Sequence, residues 1–216
     1  NKNKKLITKC ANYANKAYSK NIDGIFLEDT STDCQSFVAR DGNDVIITGQ
    51  GTTSMRDWSI DFQIYRTKVS YLKDTLVHAG FIKAYNSVRK RIHEEVEKLI
   101  EEKCTQIICT GHSLFGAIAT IAALDCALKY NLPVYCVTFG SPRVGGKHFV
   151  KCFNNNVDVS FRCVQKKDPI TFTPLPIRFK HVRGGLHING NKLSDIPSLL
   201  NCCGCKISDH SMTEYY

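Results

Sequence analysis

Apolar residues recur every three or four positions in two stretches of the chain, which is the spacing of an amphipathic helix. The first stretch covers residues 5–20, and the second runs from Phe81 to Lys103. In the second, the charged residues fall on the face opposite the apolar one, which predicts a long helix with one face packed and the other solvated. A third segment, apolar all round, extends from Ser113 to about Tyr130 and predicts a buried helix.

Short apolar runs bounded by turn residues predict β-strands. Such runs occur at Gln35–Ala39, Val45–Thr48, Gln106–Thr110, Pro133–Phe139 and Val159–Val164. Because the later strands alternate with helices, the sequence predicts an α/β fold with a mostly parallel central sheet flanked by helices. With 216 residues, a single domain spanning residues 1–216 is expected. After Asp168 the pattern becomes irregular, and a short helix-like tail follows Asp209.

The composition excludes several classes of protein. Hydrophobic residues make up 43% and charged residues 23% of the chain, which is ordinary for a globular protein and excludes a disordered or collagen-like one. No apolar run approaches the length of a transmembrane helix, so no transmembrane segment is predicted. The net charge of +9 is spread along the chain without an Arg-rich or RNA-binding motif, so nucleic acid is not an expected partner.

Ten of the 11 cysteines fall into two groups. Cys109, Cys136 and Cys163 lie in predicted strands and Cys126 in the apolar helix, where a thiol is typically a small buried hydrophobe. Others lie near loops or ends and are free to pair: Cys10, Cys34, Cys152, Cys202, Cys203 and Cys205. The segment Cys202-Cys203-Gly204-Cys205 with His210 lacks a second cluster at zinc-site spacing, so neither a metal nor a cofactor is predicted.

Cysteine usage leaves the cellular compartment open. The chain begins Asn-Lys-Asn-Lys-Lys without Met or a signal peptide, as a processed secreted protein or a shortened chain would. The absence of Asn-x-Ser/Thr sequons weakly disfavours a glycosylated secreted form. Secretion is slightly favoured over a cytoplasmic location.

The strongest chemical signal is Gly111-His112-Ser113-Leu114-Phe115-Gly116, between a buried strand and the apolar helix. A serine at such a turn is held in a sharp bend that exposes its hydroxyl, with the next backbone N–H directed into the same space. The positive end of the helix favours an oxyanion there. The alternative is a Gly-rich strand-to-helix turn without activity.

The neighbouring segments resemble the class 3 lipases, the fungal-lipase-like family of the α/β-hydrolase fold. Motifs similar to those of the family follow in its order over about residues 35–212: Gly51-Thr52-Thr53-Ser54 with Asp57-Trp58, His78-Ala79-Gly80-Phe81 with Ala84-Tyr85, Thr138 to Gly145, Asp168-Pro169 with Leu175-Pro176, His181-Val182 and Asp209-His210. The resemblance implies an α/β-hydrolase fold and the hydrolysis of carboxylic esters, most of all acylglycerols.

The resemblance also implies site residues. Ser113 would be the nucleophile, Asp168 the acid and His210 the base, in the chain order expected for this fold. The backbone N–H groups of Leu114 and Thr52 would form the oxyanion hole. Rival acids are Asp158 and Asp195, and rival bases are His181 and His187; His112 is expected to be structural and His78 to be a packing residue.

Two positions depart from the family pattern. Phe115 stands where the elbow normally ends in glycine, which lets the helix and strand approach closely. Gln50 stands where an arginine normally precedes Gly-Thr, and glutamine makes fewer and weaker hydrogen bonds. Both changes predict reduced turnover. They also leave open a catalytically weak or inactive lipid-binding relative.

The substrate surface is predicted from two further segments. Residues 53–65 include Met55, Trp58, Ile60, Phe62 and Ile64, and in the family this segment is a lid that opens at a lipid interface. The basic stretch Lys166–Arg183 brackets Asp168 and would favour anionic interfaces. The expected partners are therefore a lipid or ester substrate and, transiently, a lipid interface. The enzymatic rival is a soluble esterase of the feruloyl type, which would carry a more polar lid.

Overall fold

The structure, a computed structural model, describes residues 2–51, 65–165, 168–189 and 192–195. Its helices are α1 (Lys2–Tyr18), α2 (Ala79–Glu101), α3 (Leu114–Lys129) and α4 (Lys147–Asn156), with 3-10 turns at Ser70–Leu72 and Pro169–Phe172. Its strands are β1 (Gly24–Asp29), β2 (Cys34–Asp41), β3 (Asp44–Gln50), β4 (Arg66–Val69), β5 (Thr75–His78), β6 (Gln106–His112), β7 (Val134–Phe139), β8 (Val159–Gln165), β9 (Gly185–Asn189) and β10 (Lys192–Asp195).

The described strands form an eight-stranded sheet in the order β1-β2-β3-β6-β7-β8-β9-β10, and β4 and β5 form a separate hairpin. From β3 to β9 neighbouring strands run parallel, and antiparallel strands flank them at both edges. The predicted mostly parallel α/β sheet is therefore confirmed. Because the central strands are parallel, their carboxyl ends meet at one edge of the sheet, where ligands bind in open α/β folds.

The helices cover both faces of the sheet and divide the core into two layers. Helix α1 packs on one face, where Ile7, Cys10 and Ala14 contact Ile46 and Ile108. Helices α2, α3 and α4 pack on the other face against the alternate strand residues, among them Ile47 and Ile107. This alternation is the period of two expected of a β-strand buried on both sides.

Several strands were not predicted. Strand β1 presents exposed residues at four of its six positions, so it lacks the apolar run that identified the inner strands. Strands β9 and β10 lie in the stretch expected to be irregular after Asp168. The tail after Asp209 lies outside the described residues. None of the described helices is both long and apolar enough to cross a membrane.

The eight described cysteines are free thiols. Cys109, Cys126, Cys136 and Cys163 are buried in the core, as predicted. Cys10 and Cys34, expected to be available for pairing, are instead buried in the core, and Cys152 is half-buried and unpaired. Burial raises the pKa of the Cys136 and Cys163 thiols to about 12, so these groups stay protonated and unreactive at neutral pH.

Candidate active site

Ser113 lies between the end of β6 and the first turn of α3, with φ 58° and ψ −127°. This left-handed conformation is costly for any residue other than glycine, and it persists only where the surroundings enforce it. The Ser113 N–H donates to the carbonyl of Phe139 at 2.9 Å, and the Ser113 carbonyl accepts from Gly116 N at 3.0 Å. The sharp turn expected at this serine is present, but the residue is only 2% exposed, so its hydroxyl is covered rather than open to solvent.

Phe115 is fully buried, and glycines on two neighbouring strands make room for its ring. A Cβ built on Gly49 of β3 would lie 2.2 Å from a Phe115 ring carbon. A Cβ on Gly111 of β6 would lie 2.8 Å from the ring and from the backbone of Phe115. The ring therefore packs directly on the sheet beneath the turn. The departure from the usual elbow glycine is accommodated in the core and leaves the strained conformation of Ser113 in place.

Gly116 provides the second close approach at the start of α3. A Cβ at this position would lie 2.9 Å from the Cβ of Ser141 and 3.3 Å from the Gly111 carbonyl oxygen. Helix α3 can therefore pack closely against the loop after β7, because Gly116 has no side chain at the contact. A side chain at position 116 would collide with Ser141, so glycine is required at this point of the turn.

Tyr18, the last residue of α1, joins the two chain segments that precede the predicted oxyanion donors. Its hydroxyl lies 2.7 Å from His112 Nδ1 and accepts a hydrogen bond from the backbone N–H of Gly51. A Cβ on Gly51 would lie 2.9 Å from this hydroxyl and 3.3 Å from the Cβ of Ser113. Burial raises the pKa of Tyr18 to about 12, so the phenol stays protonated at neutral pH. The prediction that His112 is structural fits this arrangement, while the role of Tyr18 had no sequence signal.

Asp168 follows β8 and is fully buried. It caps the 3-10 turn that begins at Pro169, because its Oδ1 accepts from Ile170 N at 2.9 Å. Since β6, β7 and β8 are adjacent and parallel, Ser113 and Asp168 follow strands whose carboxyl ends lie at the same edge of the sheet, with β7 between them. A buried carboxylate at this position suits a group that orients a catalytic histidine.

Arg143, which is not among the predicted site residues, fixes the segment after Asp168. Its guanidinium donates to the carbonyls of Phe172 and Pro174, the latter at 2.9 Å, while its backbone N–H donates to the Thr173 carbonyl at 2.7 Å. One residue of the loop after β7 thus holds three consecutive carbonyls of the loop after β8. The Ser-Pro-Arg sequence after Gly140 was the available signal.

The rival acids lie elsewhere. Asp158 precedes β8, at the opposite edge of the sheet, where its Oδ2 accepts from Val134 N at 2.8 Å. Asp195 ends β10, the edge strand.

His181, one of the rival bases, makes a structural hydrogen bond. Its Nε2 donates to the Thr171 carbonyl at 2.6 Å. Burial lowers the pKa of His181 well below its usual range, and the charges of Arg162 and Arg143 lower it further, so the ring is neutral. His187 lies on β9 opposite Val164, and neither of its ring nitrogens has a hydrogen-bond partner in the described part of the chain.

His78 both packs and caps. Its ring lies 4.2 Å from that of Phe81, and its Nδ1 accepts from Gly80 N at 3.2 Å at the start of α2. The expected packing role is extended by this helix cap.

Two of the predicted site residues, Thr52 and His210, lie outside the described residues, as do Met55, Trp58 and the rest of the predicted lid up to residue 64. The Cys202–Cys205 segment also lies outside them. Leu114 is the first residue of α3 and 4% exposed. Its N–H belongs to the first helical turn, whose N–H groups have no acceptor within the helix and are available to an oxyanion. Within the described ranges, no three His, Cys, Asp or Glu side chains are grouped to hold a metal ion.

Comparison with known proteins places this geometry in a family. The family model described as lipase (class 3) matches residues 46–177, more than half of the chain. Secreted mono- and diacylglycerol lipase 1 of Fusarium solani is 27% identical over 168 residues, which are 76% of this chain and 50% of that protein. Phospholipase A1-II 1 of Oryza sativa subsp. indica is 34% identical over 139 residues, 54% of this chain and 35% of that protein.

The chain spans about half the length of the Fusarium protein and about a third of the rice protein. Among solved structures, a triacylglycerol lipase described as having a serine protease triad as its catalytic centre superposes with a TM-score of 0.79 at 23% identity, covering 87% of this chain and 80% of that one. This likeness shows the α/β-hydrolase fold. Together with the family match, which includes both Ser113 and Asp168, it establishes that the chain belongs to the class 3 lipase family.

Proposed function

We propose that the chain is a serine carboxylic-ester hydrolase that acts on acylglycerols. The observation that carries the proposal is the backbone of Ser113, held at φ 58° between a buried strand and a helix N-terminus, with a buried carboxylate at the same edge of the sheet. The Fusarium relative is named a mono- and diacylglycerol lipase and the rice relative a phospholipase A1, and both names denote carboxylic-ester hydrolases.

In the proposed reaction Ser113 Oγ attacks the ester carbonyl carbon while His210 takes the hydroxyl proton. The carbonyl oxygen becomes an oxyanion, which the N–H groups of Leu114 and Thr52 stabilise together with the positive end of α3. Collapse of this intermediate breaks the ester C–O bond, and the alcohol leaves with the proton from His210. Water then hydrolyses the acyl-enzyme by the same steps, and Asp168 holds the imidazole in the required tautomer throughout.

The main alternative is a non-catalytic lipid-binding protein, which Phe115 suggests because it replaces the usual elbow glycine. The packing of Phe115 between Gly49 and Gly111 disfavours this alternative, because the ring occupies the core without displacing the Ser113 turn. A soluble esterase of the feruloyl type differs in its substrates rather than in its reaction. Phospholipids are the second substrate class, favoured by the name of the rice relative.

The test is hydrolysis of emulsified tributyrin by the chain and by Ser113→Ala. We expect the parent to be active and the variant to lose about four orders of magnitude or more in kcat. A fluorophosphonate should label the parent and not the variant. A folded parent that is neither active nor labelled would overturn the proposal. Emulsified diacylglycerol, phosphatidylcholine and a soluble feruloyl ester, assayed side by side, distinguish the substrate classes.

The proposed lid at residues 53–65 has its own readout. We expect the hydrolysis rate to rise abruptly when tributyrin passes its solubility limit, because an interface favours the open state. A smooth saturation curve would contradict a lid. We further propose that the protein is secreted, as the name of the Fusarium relative states for that protein; detection in the culture medium rather than in cells of the source organism tests this.

A further inference from the structure

Four segments meet beside the candidate active site. They are residues 65–69, 76–78, 143–147 and 174–180, and together they are called the basic rim. The Arg66 guanidinium donates to the Arg178 carbonyl at 3.1 Å. Gly146 N donates to the Leu76 carbonyl at 3.0 Å, and Lys180 N donates to the Gly145 carbonyl at 2.9 Å. These bonds make one continuous surface from segments that are distant in sequence.

The basic rim exposes large apolar side chains. Ile177 is 86% exposed, Leu175 66% and Tyr65 65%. Pro174 and Pro176 bracket Leu175 and restrict the backbone, and the Arg143 guanidinium holds the Pro174 carbonyl. Leu175 and Ile177 are therefore presented on a stiff loop rather than on a flexible one. Grouped exposed apolar residues of this kind mark an interaction site.

The charge of the basic rim has one sign. Its four segments contain no Asp or Glu and six basic residues. Lys68 lies 3.6 Å from Asp74, and Arg143 is bound to the carbonyls described above. Arg66, Lys147, Arg178 and Lys180 have no acidic partner among the residues that the structure describes. This surface is therefore complementary to a negatively charged one.

The basic rim lies on the side of the molecule where hydrolysis is proposed. Its segment 143–147 continues from Ser141, which contacts Gly116 at the start of α3. Its segment 174–180 continues from the turn capped by Asp168. A surface bound here would thus lie next to the loops that carry Ser113 and Asp168.

We infer that the basic rim docks the protein on an anionic lipid surface, with Leu175 and Ile177 inserted among the lipids and the four cations over the headgroups. The benefit to catalysis rests on the proposed function, but the docking itself requires no hydrolysis. Two observations favour a lipid surface over an acidic protein: Leu175 and Ile177 protrude into solvent, and the cations lie on the same segment or on segments hydrogen-bonded to it.

Binding is measured by sedimentation with vesicles of phosphatidylcholine alone and of phosphatidylcholine and phosphatidylglycerol in equal parts. The protein carries Ser113→Ala so that the vesicles stay intact. We expect much stronger binding to the mixed vesicles and loss of the difference in high salt. Lys147→Gln with Arg178→Gln should weaken this binding about fivefold per charge removed. Ile177→Ser should weaken it about tenfold.

Matched controls lie on remote surfaces. Lys4→Gln with Lys5→Gln removes the same charge from α1, on the opposite face of the sheet, and Ile25→Ser removes an exposed isoleucine from the edge strand β1. The loss of vesicle binding in the rim variants should be several-fold greater than the loss in these control variants. Equal binding to both vesicles, equal losses in rim and control variants, or absence of vesicle binding would overturn the inference. Absence of vesicle binding would point instead to an acidic protein or to a second copy of the chain as the occupant. Sedimentation equilibrium detects the second copy.

Hydrolysis of a soluble ester, measured without Ser113→Ala, separates this inference from the proposed function. The rim variants should retain the parent rate on that substrate, because no rim substitution alters a group assigned to the reaction. Vesicle binding without hydrolysis would contradict the proposed function alone. Hydrolysis without preference for anionic vesicles would contradict the docking surface alone.

Discussion

The two ends of α3 are built on opposite physical principles. At its first turn, Ser113 is held in a left-handed conformation, and close packing of Gly111, Phe115 and Gly116 maintains the bend. At its last turns, Asp125 is held by polar contacts from α2. Tyr85 OH, Arg89 Nε and His93 Nε2 lie 2.7, 2.6 and 2.7 Å from its Oδ2, respectively.

Along α3, the strained backbone is at the Ser113 end and the stabilising polar contacts are at the Asp125 end. Asp125 is almost fully buried, and its charge is compensated by a guanidinium and by hydrogen bonds, which is the condition under which a buried carboxylate is tolerated. The two ends are roughly 17 Å apart at 1.5 Å per residue. The end with a strained backbone can therefore serve chemistry while the other end fixes α3 on α2, and substitutions at the two ends should have separable effects.

The largest effect is expected for Phe115→Gly, which restores the usual elbow residue. Removal of a fully buried ring costs about 3–5 kcal/mol, and glycine in a helix adds about 1 kcal/mol. We expect the free energy of unfolding, measured in urea, to fall by this amount without a gain in kcat on a soluble ester. Phe115→Leu, which keeps most of the volume, should cost much less. A variant with unchanged stability and higher kcat would contradict the assignment of Phe115 to the core.

Asp125→Ala should destabilise the protein by about 3–5 kcal/mol, because it leaves buried His93 and Tyr85 and the Arg89 guanidinium without their common acceptor. Urea unfolding measures this loss. The rate per folded molecule on a soluble ester should stay at the parent value. Glu97→Ala is the control, since its exposed pairing with Lys129 should contribute less than about 1 kcal/mol. A large loss of kcat in folded Asp125→Ala would join the two ends functionally and break the comparison.

Acid should weaken the Asp125 end through the same contacts. Burial acts to raise the pKa of Asp125, but the hydrogen bonds from His93, Arg89 and Tyr85 outweigh it and lower the pKa to about 2. Because the pKa is about 3.9 in the unfolded chain, the ionised carboxylate contributes stability above that pH. This contribution, about 3 kcal/mol, is lost as the pH falls from about 4 to 2. The stability difference between the parent and Asp125→Asn should shrink over that interval, and a constant difference would contradict the assignment.

The elements that depend on residues close together in the sequence could be predicted from the pattern of apolar positions. The helices at Phe81 and Ser113 and the inner strands follow from the spacing of their apolar residues, and Gly111-His112-Ser113 lies at a strand-to-helix turn whatever packs around it. Edge strand β1 was missed because an exposed strand lacks an apolar run. The pattern of apolar residues alone could not identify β1, because pairing with the neighbouring strand, and not the residues of β1 themselves, makes this segment a strand.

The accommodation of Phe115 could not be predicted for a different reason. The space for its ring is provided by Gly49, which lies on another strand and more than sixty residues away in sequence. The contact between Tyr18 and His112 joins residues 94 positions apart. Such features depend on the register of the assembled sheet, and a single sequence gives only their separate members.

The smallest predicted effect concerns Tyr18, which sharpens the description of the strained end. Its hydroxyl ties His112, next to Ser113, to Gly51, next to the proposed oxyanion donor Thr52. Tyr18→Phe keeps the ring and removes only these two hydrogen bonds, so we expect kcat on a soluble ester to fall about tenfold, about 1.4 kcal/mol, with KM unchanged. Tyr13→Phe removes a hydroxyl from the same helix away from the turn and should leave kcat unchanged.

A fall in stability alone would assign Tyr18 to the scaffold. An unchanged KM with a lowered kcat would instead mean that the hydroxyl acts on the geometry of the transition state, since an interaction made equally with bound substrate would appear in KM. Steady-state kinetics of the two tyrosine variants, with urea unfolding of each, therefore decide whether the turn at Ser113 is held by packing alone or also by the hydrogen bonds of α1.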